Sequence, residues 1–327
     1  MIACRRFAIV IAVLVAAAPQ RASAQQEGVF TDPEDAGPEY AFQGEYAGEI
    51  GGKKYGAQVI ALGDGKHDIV LYEGGLPGDG WTRKDTKNRV SGLRYSDDRP
   101  GAVVGRNGDR WEVTVYPTRI ELTGELAGQL GRAHRKSPTL GAKPPAGAVV
   151  LFDGKSAEEF KNGKLTDDGL LMADCESNRK FGDHALHVEF RTPFVPKARG
   201  QGRGNSGVYV QNRYEVQVLD SFGLEGKNNE CGGIYGGTEP IVNMCYPPLT
   251  WQTYDIDFTA ARYDQAGNKI RNARMTVQHN GVVIHDDAEL PKHTPGKNAE
   301  GPGPDGMYLQ GHGNPVVYRN IWVVEKK

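Results

Sequence analysis

Cysteine is scarce in this sequence, and neither sign of charge dominates. Lys and Arg number 39 against 41 Asp and Glu, so the formal net charge is only −2. A nucleic-acid-binding protein normally carries a basic surplus, and the balance therefore predicts no nucleic-acid partner. Beyond the N-terminal apolar run, no stretch approaches the ~18 apolar residues of a membrane-spanning helix, so no internal span is expected.

Several familiar catalytic motifs are also missing. The chain has no HExxH or His-x-His pattern and no GxSxG elbow, and the glycine-rich stretch 200–207 lacks the lysine of a phosphate-binding loop. No Cys and His spacing matches a structural zinc site. These absences exclude the common metalloprotease, serine-hydrolase and nucleotide-binding signatures.

Glycine is the residue present in excess. The chain contains 44 glycines in 327 residues, about twice the average share of ~7%. Glycine of this abundance predicts many tight turns, and no ten-residue segment shows a helical period. The sequence therefore predicts an all-β protein.

The N-terminus has the pattern of a secretory signal peptide. Arg5 and Arg6 precede the apolar run 7–18, and an Ala-Ser-Ala sequence ends at Ala24. We expect cleavage after Ala24 and export to the periplasm or the extracellular space.

Export makes a disulfide chemically favourable. Cys231 and Cys245 bracket the glycine-rich segment 232–237, and a bridge between them would hold that segment in place. The sequence therefore predicts a Cys231–Cys245 disulfide with Cys175 free, while three separate buried thiols are the alternative.

The rest of the chain divides into four parts. Residues 25–43 are acidic and aperiodic, which predicts a flexible lead. Short alternating strands fill 44–130, and the proline-rich stretch 131–147 predicts a solvated linker. From 148 to 327 about ten strands separated by long loops predict a two-sheet jelly roll or sandwich. The fold expected is thus a jelly-roll domain preceded by a small antiparallel β domain.

One predicted strand carries candidate catalytic residues. Glu215 and Gln217 are two residues apart and share a strand face, opposite Val216 and its neighbours. Asp220 ends the strand, and Glu215 with Asp220 are candidates for a pair of carboxylates that cleaves a glycosidic bond. An ordinary solvated sheet face is the alternative interpretation.

A second segment adds candidate binding residues. Gln310 and His312 also share a face, and a turn at 313–315 offers a way to bring Arg319 near them. His312 is either functional or an ordinary loop histidine. Tyr235 and Trp251 are candidates for stacking on a sugar, with a core role as the alternative for Trp251.

Six ordered segments together resemble the 3-keto-disaccharide hydrolase family over about residues 148–326. They are Leu-Phe-Asp-Gly at 151–154, the run at 181–193, Asn-Ser-Gly-Val-Tyr-Val at 205–210, Tyr-Glu-Val-Gln-Val-Leu-Asp at 214–220, the run at 251–258 and the run at 309–322. The resemblance implies a concanavalin-like jelly roll, a carbohydrate partner and cleavage of glycosides oxidised at C3. Asn205, which opens one motif, joins the candidate sugar-binding residues.

The implied substrate suggests a mechanism. A ketone at C3 acidifies the C2 proton, so a base at C2, an electrophile at the enolate oxygen and an acid at the leaving oxygen are needed. Glu215 or His312 is the candidate base, and Arg319, His312 or a divalent metal ion is the candidate electrophile. Two-carboxylate hydrolysis by Glu215 and Asp220 is the second mechanism. A lectin-like carbohydrate-binding module without turnover is the alternative function.

Overall fold

The computed structural model describes residues 28–326, and it confirms the all-β prediction. Within that range the helical elements are one short helix, α1 (Gly37–Tyr40), and one 3-10 turn (Gly200–Gly202); the remaining elements are strands β1–β24. None of the helices in residues 28–326 is long and apolar enough to span a membrane. The predicted signal peptide lies outside the described residues.

The N-terminal strands build a closed antiparallel barrel. Their bounds are β1 (Gly44–Ile50), β2 (Lys53–Gly63), β3 (Lys66–Glu73), β4 (Leu76–Pro77), β5 (Gly80–Trp81), β6 (Lys87–Tyr95), β7 (Val103–Asn107), β8 (Trp111–Val115), β9 (Arg119–Gly124) and β10 (Gly128–Ala133). The barrel order is β1-β10-β9-β8-β7-β6-β3-β2, with β4 and β5 paired separately. Because β10 reaches Ala133, the barrel extends into the stretch that the sequence predicts as linker.

Apart from one separate two-stranded pair over residues 262–271, the C-terminal strands form two packed sheets. Their bounds are β11 (Val149–Phe152), β12 (Phe160–Lys161), β13 (Leu171–Met172), β14 (Cys175–Ser177), β15 (His184–Arg191), β16 (Ser206–Val210), β17 (Tyr214–Val218), β18 (Gln252–Thr259), β19 (Arg262–Tyr263), β20 (Lys269–Arg271), β21 (Ala273–His279), β22 (Val282–Leu290), β23 (Tyr308–Leu309) and β24 (Val317–Glu325). A seven-stranded sheet has the order β11-β24-β15-β18-β21-β22, with β13 also on β24, and a five-stranded sheet has the order β12-β14-β23-β16-β17. The sandwich prediction is therefore confirmed.

The barrel has an apolar core of its own and also contributes side chains to the core of the sandwich. Ile60, Val70, Tyr72 and Trp81 of the barrel belong to the same buried cluster as the side chains between the two sheets. Gly223 allows close approach, because a Cβ there would lie 2.5 Å from Cδ1 of Ile60. Burial of apolar surface at about 25 cal/mol per Å² holds the two parts together.

The predicted flexible lead is packed in its described part, 28–43, so that prediction is wrong there. Phe30 exchanges two backbone hydrogen bonds of 2.9 Å with Phe194. Ala36 is buried in a small cluster with Phe194 and Leu249, and the Tyr40 hydroxyl donates to the carbonyl of Pro248. The acidic composition hid these few apolar anchors.

The prediction of a solvated linker over 131–147 is wrong for 135–142, where the chain contacts the barrel and is hydrogen-bonded along the outer face of the seven-stranded sheet, whereas residues 143–147 are exposed. Thr139 Oγ1 donates to Asp255 (2.6 Å), the Gly141 amide donates to Glu189 (2.5 Å), and Asn320 donates to the Ala142 carbonyl (3.0 Å). Arg135 forms an ion pair with the buried Glu45 of the barrel, at 2.5 Å. The segment therefore joins the barrel to the sandwich with fixed contacts.

Glu189 is the centre of this attachment. Burial opposes its charge, but hydrogen bonds from His187, Asn320 and Arg319 outweigh that and lower the pKa of Glu189 to about 2. Hydrogen bonds that a buried carboxylate accepts from charged and amide donors are worth more than exposed pairs, because water does not compete with them.

We expect Glu189→Gln to lower the free energy of unfolding at pH 7 by on the order of 3 kcal/mol, because it removes the negative charge that the partners of Glu189 contact. The carboxylate's pKa is lowered in the folded state, so its contribution is present above about pH 4.5 and is lost as the pH falls toward 2. Thermal or urea unfolding at pH 7 and pH 3 measures this. The exposed Glu49→Gln serves as the control, and a Glu189 effect of equal size at both pH values would contradict the assignment.

The predicted disulfide is absent, because Cys175, Cys231 and Cys245 are all buried free thiols. The glycine-rich segment is held in another way: it pairs with the edge of β17, where the Gln217 amide donates to the Gly233 carbonyl and the Gly232 amide donates to the Gln217 carbonyl, both at 2.9 Å. Backbone pairing thus holds the segment that the predicted bridge was expected to hold.

Candidate functional site

The β16–β17 hairpin positions the predicted catalytic strand. Gln211 and Asn212 adopt left-handed backbone angles (φ 51° and 53°), which closes the hairpin. Its register places Tyr209 opposite Glu215 and Gly207 opposite Gln217. The alternate valines of both strands are buried in the core, so Glu215 and Gln217 share the opposite face, as predicted.

Two rows of side chains cross this face of the five-stranded sheet. Tyr308 pairs with Tyr209 on one side and with Glu176 on the other. The backbone amide of Gln310 donates to the Gly207 carbonyl at 2.8 Å. The first row is Glu215, Tyr209, Tyr308 and Glu176, and the second is Gln217, Gly207, Gln310 and Asp174; together they are called the polar face below.

The Glu215 carboxyl occupies the space above Gly207. A Cβ at residue 207 would lie 2.2 Å from Glu215 Oε1, so a side chain there would displace the carboxyl. With its amide nitrogen turned toward Glu215, Gln217 donates to Oε1 across 2.8 Å. Glycine at 207 thus makes the hollow in which the carboxyl sits.

Burial tunes Glu215 for proton transfer near neutrality. The residue is only 2% exposed. Burial raises its pKa to about 7, against the opposing effect of a hydrogen bond with Tyr209. A carboxyl with a pKa near the working pH can both accept and return a proton, which is the property required of a general base.

Two segments cover the hairpin. The Tyr235 amide donates to the Glu215 carbonyl (3.1 Å), and the Glu215 amide donates to the Thr294 hydroxyl (3.1 Å). The Tyr209 hydroxyl donates to the Pro295 carbonyl at 3.0 Å. These contacts hold both segments against the hairpin that carries the buried Glu215.

The other end of the polar face is open. Lys297 contacts Glu176 (3.0 Å) and lies over the Tyr308 ring at 4.1 Å, and the Tyr308 hydroxyl donates to Asp174 at 2.9 Å. Asp174 and the exposed His312 line a cavity of about 670 Å³, called the edge pocket below. Gly311 makes room for Asp174, because a Cβ at residue 311 would lie 2.5 Å from its Cβ.

Four predicted binding residues lie around Glu215. Asn205 places its side-chain oxygen 3.5 Å from the end of the Gln217 side chain, and the Gln310 side-chain nitrogen lies 3.5 Å from the Tyr209 hydroxyl. Tyr235, through its backbone, is the fourth. His312 lines the adjoining edge pocket rather than the covered part of the face.

Asp220 is held elsewhere. Its Oδ2 accepts from Arg203 at 2.6 Å and its Oδ1 accepts from the Phe222 amide at 3.3 Å. Arg203 also donates to the carbonyl of Ala61 in the barrel. The structure thus engages Asp220 in a buried ion pair at the contact with the barrel, which removes support for a Glu215–Asp220 catalytic pair.

Arg319 belongs to the other sheet, and Trp251 directly precedes β18 of that sheet. Arg319 lies on β24, donates to Glu189 at 2.7 Å and stacks on the Trp251 ring at 4.0 Å. The expectation that a turn would bring Arg319 beside Gln310 is corrected, because β23 and β24 belong to different sheets.

Sequence reasoning missed Tyr209, Tyr308 and Asp174. Tyr209 could have been predicted from the sequence, because a hairpin that pairs Val210 with Tyr214 places Tyr209 opposite Glu215. Asp174 carries no local signal, since it reaches the site through pairing with a strand far along the chain. Within residues 28–326, no three His, Cys, Asp or Glu side chains are arranged to hold a metal ion.

Glu215→Gln should stabilise the folded protein at neutral and alkaline pH. The pKa of this carboxyl is raised from 4.5 to about 7 on folding, so its ionisation costs nothing below about pH 4.5, and the cost grows until about pH 7. The free energy of unfolding of the variant should exceed that of the wild type by about 1 to 3 kcal/mol at pH 8. At pH 4 the carboxyl is mostly protonated in both the folded and the unfolded state, so its burial should add little to the difference between the two proteins.

Urea unfolding of both proteins at pH 4, 6 and 8 tests this. Glu176→Gln is the matched control in the same row, because Lys297, against the effect of burial, lowers the pKa of Glu176. Its effect should have the opposite sign. A Glu215→Gln difference that does not change with pH would show that burial does not raise this pKa.

Comparison with known proteins places this site within a family. No curated protein sequence matches the chain. A crystal structure of a "putative glycosyl hydrolase" from Parabacteroides distasonis ATCC 8503 shares 30% identity with a TM-score of 0.51, covering 56% of this chain and 85% of that one. A second crystal structure from that organism, with the same description, shares 22% identity with a TM-score of 0.39, covering 55% and 99%. The sequence profile of the 3-keto-alpha-glucoside-1,2-lyase-like domain matches residues 147–324, and the chain therefore belongs to this family.

Proposed function

We propose that this protein cleaves glycosides whose sugar is oxidised at C3, with Glu215 as the general base. Family membership over 147–324 and likeness to a structure described as a "putative glycosyl hydrolase" support a glycoside-related function. The observation that carries the specific proposal is the Glu215 carboxyl, buried on a rigid strand with a pKa of about 7.

The chemistry needs a base more than it needs a second carboxylate. The C3 ketone acidifies the C2 proton, and Glu215 takes that proton while the C2–H electron pair forms an enolate with C3. The enolate then expels the oxygen on C1, the C1–O electron pair leaves with that oxygen, and the oxygen takes up a proton. Water adds at C1 and a proton returns to C2, which completes a net hydrolysis.

The side chains around Gly207 suit the remaining roles. Gln217 and Gln310 flank the hollow in the second row and present side-chain amides, which are donors suited to a developing enolate oxygen. His312 follows Gln310 by two residues and lines the adjoining edge pocket. It is the candidate acid for the leaving oxygen. Arg319 has no part in this proposal, since Glu189 holds it on the other sheet.

Glu215→Gln should lower kcat/KM on a 3-keto-glucoside by about 10²-fold or more, because the amide keeps the shape and removes the basicity. In the wild type, kcat/KM should rise with pH and reach half its plateau near pH 7, where Glu215 loses its proton. Released sugar measured between pH 5 and 9 reports both quantities.

Glu176→Gln is the matched control, since Glu176 lies in the same row but pairs with Lys297. Its kcat/KM should stay within a few-fold of the wild-type value, with the same pH midpoint. A folded Glu215→Gln protein that turns over at the wild-type rate would exclude Glu215 as the base. Binding of the 3-keto-glucoside without any turnover by the wild type would instead favour the lectin-like alternative.

The signal-like N-terminus supports a further proposal, that the protein is exported after cleavage behind Ala24. The intact mass of protein purified from the producing cell, with cell fractionation, tests this. A chain that begins at Gln25 in the exported fraction is expected, whereas a cytoplasmic chain that still begins at Met1 would contradict it.

A further inference from the structure

The edge pocket is a cavity of about 670 Å³ between three segments of the chain: 31–35, 165–174 and 311–317. Asp174 belongs both to this pocket and to the second row of the polar face. The pocket therefore continues the polar face at its open end. Its volume lies within the range of about 300 to 1,000 Å³ that is typical of small-molecule sites.

One wall of the pocket is apolar and exposed. Leu165 and Met172 both line it, and they are 37% and 38% exposed. Large apolar side chains left in contact with water inside a concavity are typical of a ligand-binding surface. A ligand that covers them would bury one apolar face.

The rest of the lining is strongly acidic. Five aspartates (Asp32, Asp35, Asp167, Asp168 and Asp174) line the pocket, and its one Lys or Arg side chain in the described part of the chain is that of Arg191. Arg191 lies over the Trp251 ring at 5.2 Å and interacts electrostatically with Asp32 and Asp168. These aspartates do not converge on a metal position, since no group of three potential ligands is found within residues 28–326.

We infer that the edge pocket receives the leaving group of the glycoside and selects it by charge, accepting neutral or cationic groups with an apolar face and rejecting anionic ones. The inference rests on the proposed function, because it assigns the C1 substituent to the pocket beside His312. Like charges repel an anionic ligand, while the Leu165–Met172 wall attracts an aromatic or aliphatic face.

Kinetics on three aryl 3-keto-glucosides test the selection. Their phenols carry 4-aminomethyl, 4-hydroxymethyl or 4-carboxymethyl groups, and the methylene limits differences in the acidity of the leaving oxygen. We expect kcat/KM to be about tenfold lower for the carboxymethyl compound than for the hydroxymethyl compound at low ionic strength, with a smaller gap at high salt.

A paired substitution identifies the source of the selection. The double variant Asp167→Asn/Asp168→Asn should reduce the difference in kcat/KM between the hydroxymethyl and carboxymethyl compounds. The control double variant Asp97→Asn/Asp98→Asn, at an adjacent exposed pair in the barrel, should leave that difference unchanged. Turnover of all three compounds at equal kcat/KM would overturn the inference and leave the proposed function standing.

Binding measured without turnover separates the two ideas. In protein labelled with [¹³C-methyl]methionine, benzylammonium should shift the Met172 methyl resonance, assigned with Met172→Leu, and phenylacetate should shift it much less. This preference would uphold the pocket's charge selection even if no 3-keto-glucoside were cleaved. Equal shifts by both compounds, or none by either, would overturn it.

Discussion

The candidate site depends on one steric constraint, the absence of a side chain at Gly207. The register of β16 against β17 places that glycine diagonally across from Glu215, and the carboxyl fills the space a Cβ would take. A strand face normally presents side chains at every second residue. Leaving one out creates a hollow that the Glu215 carboxyl occupies, with the Gln217 and Gln310 side chains on either side of Gly207 in the second row.

That arrangement has a thermodynamic cost which the sandwich must offset. A carboxyl with a pKa near 7 destabilises the folded state at neutral pH relative to a solvated one. The alternate faces of the same two strands bury Val208, Val210, Val216 and Val218 in the core. The apolar face of the hairpin thus anchors it in the core, while its polar face carries a carboxyl whose ionisation is unfavourable.

Period-two patterning was enough to find the first part of this site. Glu215, Gln217 and their opposing valines were placed correctly because strand alternation is a local property. The contacts of Arg319 were not predictable in this way, because the chain leaves the five-stranded sheet after Leu309 and enters the other sheet at Val317. Residues a few positions apart therefore face different sides of the sandwich.

The stretch 131–147 shows a second limit of sequence reasoning. Its contacts are made by single hydroxyls and backbone amides to Asp255 and Glu189, which lie far along the chain. Such contacts leave no periodicity and look like a linker. The packed lead was missed for a related reason, since its attachment rests on isolated residues such as Phe30.

The packed N-terminal lead also forms part of the edge pocket. Thr31, Asp32 and Asp35 form part of its lining, yet they lie outside the residues that match the family, 147–324. Their position is set by the backbone pairing of Phe30 with Phe194 and by the docking of the lead on the sandwich. The Glu215 hollow and most of the pocket lining, His312 included, lie within the family domain, and the N-terminal segment adds one part of the pocket wall. A change in that segment can therefore alter the pocket wall without changing the strand that carries Glu215.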